Sequence, residues 1–395
     1  MQNKLWSKEF TAIISATLLM AWAFYALMPT LPIYLIGNLG MTQGNVGMIM
    51  AAFSIPAILI RPLAGHILDN HPRFLVLILS LILSTAGYGF YPLVTGVAAM
   101  VFLRLVHGAI WGICSSANAT IVADTVPSMR LGEGIGIFAL CIPVGMTIGP
   151  MFGVEVLERY GPEAMFLSLL CVSLLSVIII TFSRTPSKTI VKTRLSFRNL
   201  LHKKSLLFSS CMFFIMIAYG AVIIFVGIYA GQRGFSNVTA FFLCFSASIF
   251  FSRLFLGRLF DKGYFVSLVL SGLILTAAGI SLLGLAPGPS HFLAAGVFSG
   301  FGFGILMPTC QAAVNNLADH RERGAANSTY LASYDLGVSV GSLLIGFLAD
   351  DIPLGRIYVY CSFLVLLSAA IFVFAAIPHY RRHTSGGRRQ DAGAA

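Results

Sequence analysis

The chain has 395 residues, of which 57% are hydrophobic and only 10% charged, and its formal net charge is +11. The mean hydropathy is +0.89. A soluble domain carries about 25% charged residues, so this composition excludes an ordinary water-soluble fold and points to a polytopic membrane protein. The positive charge sits in short segments between apolar runs, where topology accounts for it better than nucleic acid does.

Lys4 and Lys8 precede an apolar run from Phe10 to Leu35. That run is too long for a signal-peptide core and reads as the first spanning helix. A crossing needs roughly 20 apolar residues, and dividing the chain at charge clusters and turn residues predicts twelve of them, at about 10–36, 43–66, 74–95, 97–123, 132–157, 163–182, 205–231, 236–260, 264–286, 290–317, 324–349 and 354–377. Lipid offers the backbone no hydrogen bonds, so these crossings are helices. Of the 25 Lys and Arg residues, Arg159, Arg233 and Arg356 border one side, Arg104 lies within the fourth span, and the others border the side of the termini. The positive-inside rule makes both termini cytoplasmic.

The seven cysteines, none in a CxxC, all fall in apolar runs. They read as small buried hydrophobes, with no disulfide framework or metal site. The longest hydrophilic segment, Ser183 to Lys204, is basic. It reads as a linker that can also lie on anionic lipid. The expected organisation is a six-helix bundle at 1–182, a cytoplasmic linker at 183–204, a second bundle at 205–378 and a cytoplasmic tail at 379–395.

The halves superpose in sequence with a shift of 192 residues. Phe53 falls on Phe245, Ser54 on Ser246, Arg61 on Arg253, Gly65 on Gly257 and Asp69 on Asp261. The same shift puts Gly108 on Gly300, Gly112 on Gly304, Gly145 on Gly337 and Gly149 on Gly341. One offset across four helix pairs implies duplicated six-helix units. Transporters built from such repeats hold substrate near the midplane and rock one half against the other.

At "GHILDNHPR" (65–73), "GRLFDKG" (257–263) and "RLVHG" (104–108) the chain resembles the major facilitator superfamily, over nearly its whole length. His71 and Pro72 depart from that family's loop pattern. Gly136, Gly145, Gly149, Pro150 and Gly153 resemble the helix-five signature of the proton-coupled antiporter branch, with Val154 in place of its last glycine. The resemblance implies an all-α integral membrane fold of twelve helices in two six-helix repeats. It also implies a monomer in a bacterial inner membrane that exports small amphipathic compounds in exchange for protons. No cofactor is expected, since no GxxxxGK[ST] is present to bind ATP, and nothing points to an enzyme or to a nucleic-acid partner.

An ionisable residue deep in a membrane is costly and marks function. Asp335 lies about a third of the way along the eleventh span and is the candidate proton carrier. Arg104 is the permanently charged group that would modulate it or bind an anionic substrate group. His107, three residues later on the same face, reads first as a structural histidine. Asp69, Arg73, Gly65, Asp261, Gly257 and Arg130, with Asp124, lie near cytoplasmic helix ends and form the expected gate, with Arg130, Arg61 and Arg253 as partners for the acids.

The resemblance makes the first, fourth, seventh and tenth spans the cavity helices. On them, Trp22, Tyr25, Trp111, Asn118, Tyr219, Gln311 and Asn315 are the candidate substrate contacts, with Asn316, Asn327 and Tyr330 as further polar residues nearby. The glycine stripe of helix five is expected to make a close seam with helix eight, and Pro150 to bend it. Proton-coupled or facilitative transport of sugars, organic acids or metallophores, and a non-transporting sensor, remain alternatives.

Overall fold

A computed structural model describes residues 5–127, 130–183, 202–235, 238–261, 264–318 and 323–383, with side chains described except at positions 62, 131, 132, 143, 254–261 and 323–325. Among these residues every regular element is helical. The chain divides into two compact units, Met1–Phe197 and Arg198–Ala395. The first holds α1 (Lys8–Gly37), α2 (Gln43–Ala52), α3 (Ser54–Leu59), α4 (Arg61–Asn70), α5 (Arg73–Phe90), α6 (Val97–Thr125) and α7 (Leu131–Thr181). The second holds α8 (Leu206–Arg233), α9 (Val238–Asp261), α10 (Phe265–Leu285), α11 (Pro289–Asn316), α12 (Arg323–Asp351) and α13 (Leu354–Ile371), the last continued by a π-helical turn at Phe372–Ala376.

Nine described helices are long and apolar enough to cross a membrane. One of them, the 49 residues Glu133–Thr181 of α7, would extend roughly 75 Å at 1.5 Å per residue, more than twice the hydrocarbon thickness. It is two crossings. The expected loop between the fifth and sixth spans is reduced to one residue, Gly161, at φ 82° and ψ 179°. Only glycine adopts that torsion at low cost, and Pro162 follows it. Pro150 itself keeps helical torsions.

The second span, expected to be continuous over 43–66, is broken into α2, α3 and α4 and reaches Asn70, with a 50° bend between Gln43–Leu59 and Leu63–Asn70. Pro56 and Pro62 each remove a backbone donor from this stretch. With the shorter apolar helix Val238–Arg253 of α9, the helices are consistent with twelve crossings.

Glycine stripes set the packing, and their contacts follow the 192-residue offset. In the first unit Gly145 and Gly149 of α7 lie on the α1 backbone: a methyl added at Gly145 would stand 2.9 Å from the carbonyl carbon of Ala21, and one at Gly149 2.7 Å from the amide of Ala26. In the second unit Gly337 and Gly341 of α12 lie on the backbone of α8 at Phe213 and Ile217. Gly108 of α6 meets the carbonyl of Phe53, as Gly300 of α11 meets that of Phe245. Gly112 meets Ala57 and Gly304 meets Ile249. The helix-five groove at Gly145, Gly149 and Gly153 is therefore filled by α1 of its own bundle. The physical reason is that a groove of small residues binds whichever backbone reaches it, and α1 lies within van der Waals distance along the whole stripe. Gly136, the fourth glycine of the motif, has open space around it.

Gly149→Ala should therefore lower stability by about 1–3 kcal/mol through overpacking against α1, whereas Gly136→Ala should fall within about 0.5 kcal/mol of the parent. Thermal unfolding of the two variants in one detergent checks the contrast.

Candidate functional site

In the first bundle the chemistry runs along one face of α6. Met100, Arg104, His107, Trp111, Cys114 and Asn118 follow three- and four-residue spacings, and all are buried. Arg104 is 1% exposed. Its guanidinium carbon sits 4.7 Å above the Phe53 ring, a cation–π contact, and one terminal nitrogen donates to the Met50 sulfur at 3.5 Å. Its Nε and Nη1 have no hydrogen-bond partner, and among the described residues no carboxylate forms an ion pair with it. Tyr88, also buried, has a hydroxyl without a partner. A lone guanidinium in so dry a place is costly, and its open donors suit an incoming anion. The fourth span's motif identified Arg104, but nothing in the sequence pointed to its Met50 and Phe53 brackets.

His107 has both ring nitrogens engaged. Nε2 lies 3.1 Å from Ser84 Oγ and Nδ1 3.0 Å from the Tyr91 hydroxyl. It joins α6 to α5 as a structural residue. Asn118, fully buried, donates towards Met20 and Cys114 sulfur at 3.7 and 3.8 Å, and its Oδ1 has no partner. Trp111 stacks on Phe24 at 4.1 Å, and Tyr25 lies edge-on to Phe24 at 5.0 Å. Trp22 is half-buried, edge-on to Phe152 of α7, with its indole N–H unpaired.

In the second bundle Tyr219 is 1% exposed, edge-on to Phe303 at 5.1 Å and near Tyr334 at 6.2 Å. Gln311 and Asn315 of α11 are both tied to Asn327 of α12: Gln311 donates to Asn327 at 3.3 Å, and Asn327 donates to Asn315 at 2.7 Å. The Tyr330 hydroxyl donates to the Met307 carbonyl at 2.7 Å. These polar residues thus join α11 to α12. Asp335 is half-buried on α12, twelve residues or roughly 18 Å from its start. Arg253 on α9 holds a buried Nε without a partner. It was expected to serve the gate; its unpaired donor was not foreseen.

At the end of the first bundle Arg73 is the hub. It pairs with Asp124 of α6, lies 3.4 Å from Asp69 of α4, and donates to the Leu68 carbonyl at 3.2 Å. The structure thus brings Asp69, Arg73 and Asp124 together. Arg130 instead makes a two-point pair with Glu133, at 2.9 and 2.8 Å, one turn along its own helix. Gly65 lies on α4 with open space around it, not in a tight turn. Gly257 and Asp261 lie outside the described side chains. Five cysteines are buried as expected, while Cys171 is exposed and Cys244 half-buried. No group of three metal-ligating side chains occurs among the described residues.

Replacing His107 by Phe strands the Ser84 and Tyr91 hydroxyls in the core. It should cost about 1–3 kcal/mol and lower the thermal midpoint. Because the imidazole is structural, the pH profile of whatever transport survives should keep its shape.

A family model described as Major Facilitator Superfamily matches residues 13–289 and 266–394. The chain is 27% identical over 380 residues to the multi-drug resistance efflux pump PmrA homolog of Lactococcus lactis, covering 92% of this chain and 93% of that one. It is 23% identical over 350 residues to the staphylopine export protein of Staphylococcus aureus, covering 84% and 87%. The fold is similar to that of a crystallised POT family transporter in complex with 5-aminolevulinic acid, at TM-score 0.78 and 14% identity over 95% of this chain and 98% of that one. With the duplicated bundles, their glycine-sealed helix pairs and this family match, the chain belongs to the Major Facilitator Superfamily and is a multi-pass membrane transporter.

Proposed function

We propose that the protein is a proton-coupled exporter of small amphipathic organic compounds, working by alternating access as a monomer in a bacterial inner membrane with both termini cytoplasmic. The observation that carries this reading is the helix-five stripe, in which Gly145, Gly149 and Gly153 seat α7 directly on the α1 backbone. The relatives named above are an efflux pump and an export protein, which supports outward transport. The opposing bias of Lys and Arg supports the orientation.

Asp335 is the proposed proton carrier. It stands twelve residues into the 29-residue α12 and is half-buried. One proton crossing 100 mV supplies about 2.3 kcal/mol, enough for roughly 50-fold accumulation against a substrate gradient. Arg104 is the proposed anchor for a negative group on the substrate. Its unpaired N–H donors favour a second reading within the same mechanism, that the cargo is a carboxylate-bearing metallophore and not a cationic drug.

Asp335→Asn should reduce pH-gradient-driven efflux from everted vesicles to background while leaving substrate binding measurable; undiminished transport overturns the role. Arg104→Met should raise the thermal midpoint, by about 1–4 kcal/mol of stability, because it removes an uncompensated buried charge. It should also abolish transport. A variant that melts lower would show that Arg104 is structural. Competition between a cationic dye and a carboxylate chelate in the same vesicles separates the two cargo readings.

A further inference from the structure

The end of the second bundle carries a group of cations outside the proposed transport site. Lys203 and Lys204 stand in a 3-10 turn just before α8, and Arg381, Arg382 and His383 at the far end of the α13 helix. The two segments lie far apart in sequence and are tied together: His379 Nε2 donates to the Lys204 carbonyl at 3.0 Å, and the rings of His379 and His383 sit 4.2 Å apart. Lys203, Lys204, Arg381 and Arg382 are exposed, and none forms an ion pair among the described residues.

This cluster is anchored, not merely tethered. Tyr380 packs on Phe265 at 4.8 Å and Phe208 at 5.9 Å, and Asn316 donates to its hydroxyl at 3.2 Å. Phe372 packs on the same two rings. The wide π-helical turn at Phe372–Ala376 brings Phe372 and Tyr380 onto one side of the helix. Like charges held close without an acid repel one another, so an ordered group of them is unfavourable unless something neutralises it.

The adjoining surface indicates what that is. Phe363 and Phe374 are 61% and 82% exposed on α13 and its continuation, an apolar face for acyl chains. Arg381 lies seven residues beyond Phe374, roughly 10 Å along the helix. With Phe374 a few ångströms inside the hydrocarbon, that rise carries Arg381 into the polar region, which is about 5–7 Å thick on each side.

We infer that this end of the second bundle is a binding site for an anionic phospholipid, its phosphate held by Lys203, Lys204, Arg381 and Arg382 and its acyl chains lying against Phe374. Basic pockets between helix ends at the membrane surface bind such headgroups.

The test uses the full chain in phosphatidylcholine nanodiscs doped with a photoactivatable phosphatidylglycerol. Cross-links are expected at 374–383 and beside Lys203 and Lys204; cross-links spread evenly over the protein overturn the site. In native mass spectrometry the wild type should retain phosphatidylglycerol over phosphatidylcholine. Joint replacement of Lys203, Lys204, Arg381 and Arg382 by Ala should cut that retention roughly tenfold or more. Replacing Lys4, Lys8, Arg388 and Arg389 should leave it intact; equal loss in both variants would mean that net charge alone acts. Displacement of the lipid by equimolar inorganic phosphate would show a simple anion site and overturn the lipid assignment.

Discussion

Lipid tails are as apolar as leucine, so helices in a membrane gain little by hiding apolar side chains from their surroundings. Their association rests on how closely two backbones can approach. In this protein four such approaches recur as two equivalent pairs: α7 on α1 and α12 on α8, then α6 on α2 and α3 and α11 on α9. Each is made by glycines four residues apart, and each would be blocked by one added methyl. The duplicated bundle is, at this level, a duplicated set of glycine contacts.

These approaches leave the polar chemistry of each bundle inside a close-packed frame. Arg104 is held by a ring and a sulfur with two nitrogens unpaired. A soft, open core would let water in to solvate it; a tight one keeps the charge dry. In the second bundle Asn327 ties Gln311 and Asn315 into one hydrogen-bonded chain. Asp335 is half-buried in the helix that carries the Gly337 and Gly341 contacts. The two bundles share a backbone plan and have diverged in chemistry: the positions equivalent to Arg104 and Asp335 are Gly296 and Pro143.

Much of the fold was readable from residue order. Spans declare themselves because twenty apolar residues in a row have one stable conformation in lipid, and the glycine offset declared the duplication. The breaks were harder to read. Gly161 alone turns α7 between two crossings, and Pro56 and Pro62 divide the second span. Gly and Pro are both tolerated inside spanning helices when neighbours satisfy the freed backbone, so a local pattern does not distinguish a break from a packed helix. The cluster of Asp69, Arg73 and Asp124 was half visible. Asp69 and Arg73 are one turn apart and were named together, whereas the bond from Arg73 to Asp124 crosses from α5 to α6 and has no local signature.

The sequence by itself determined the helical membrane fold and the twofold repeat, and its motifs carried the resemblance to the family. The first two follow from hydropathy and spacing, which are properties of one strand of chain. Only the tertiary structure decided which helix fills the helix-five groove, that His107 is satisfied while Arg104 is not, and that Lys204 and His379 meet. Each of these depends on an atom contributed by a distant segment. Whether a buried donor finds an acceptor is a question of distance in space, which spacing along the chain does not specify.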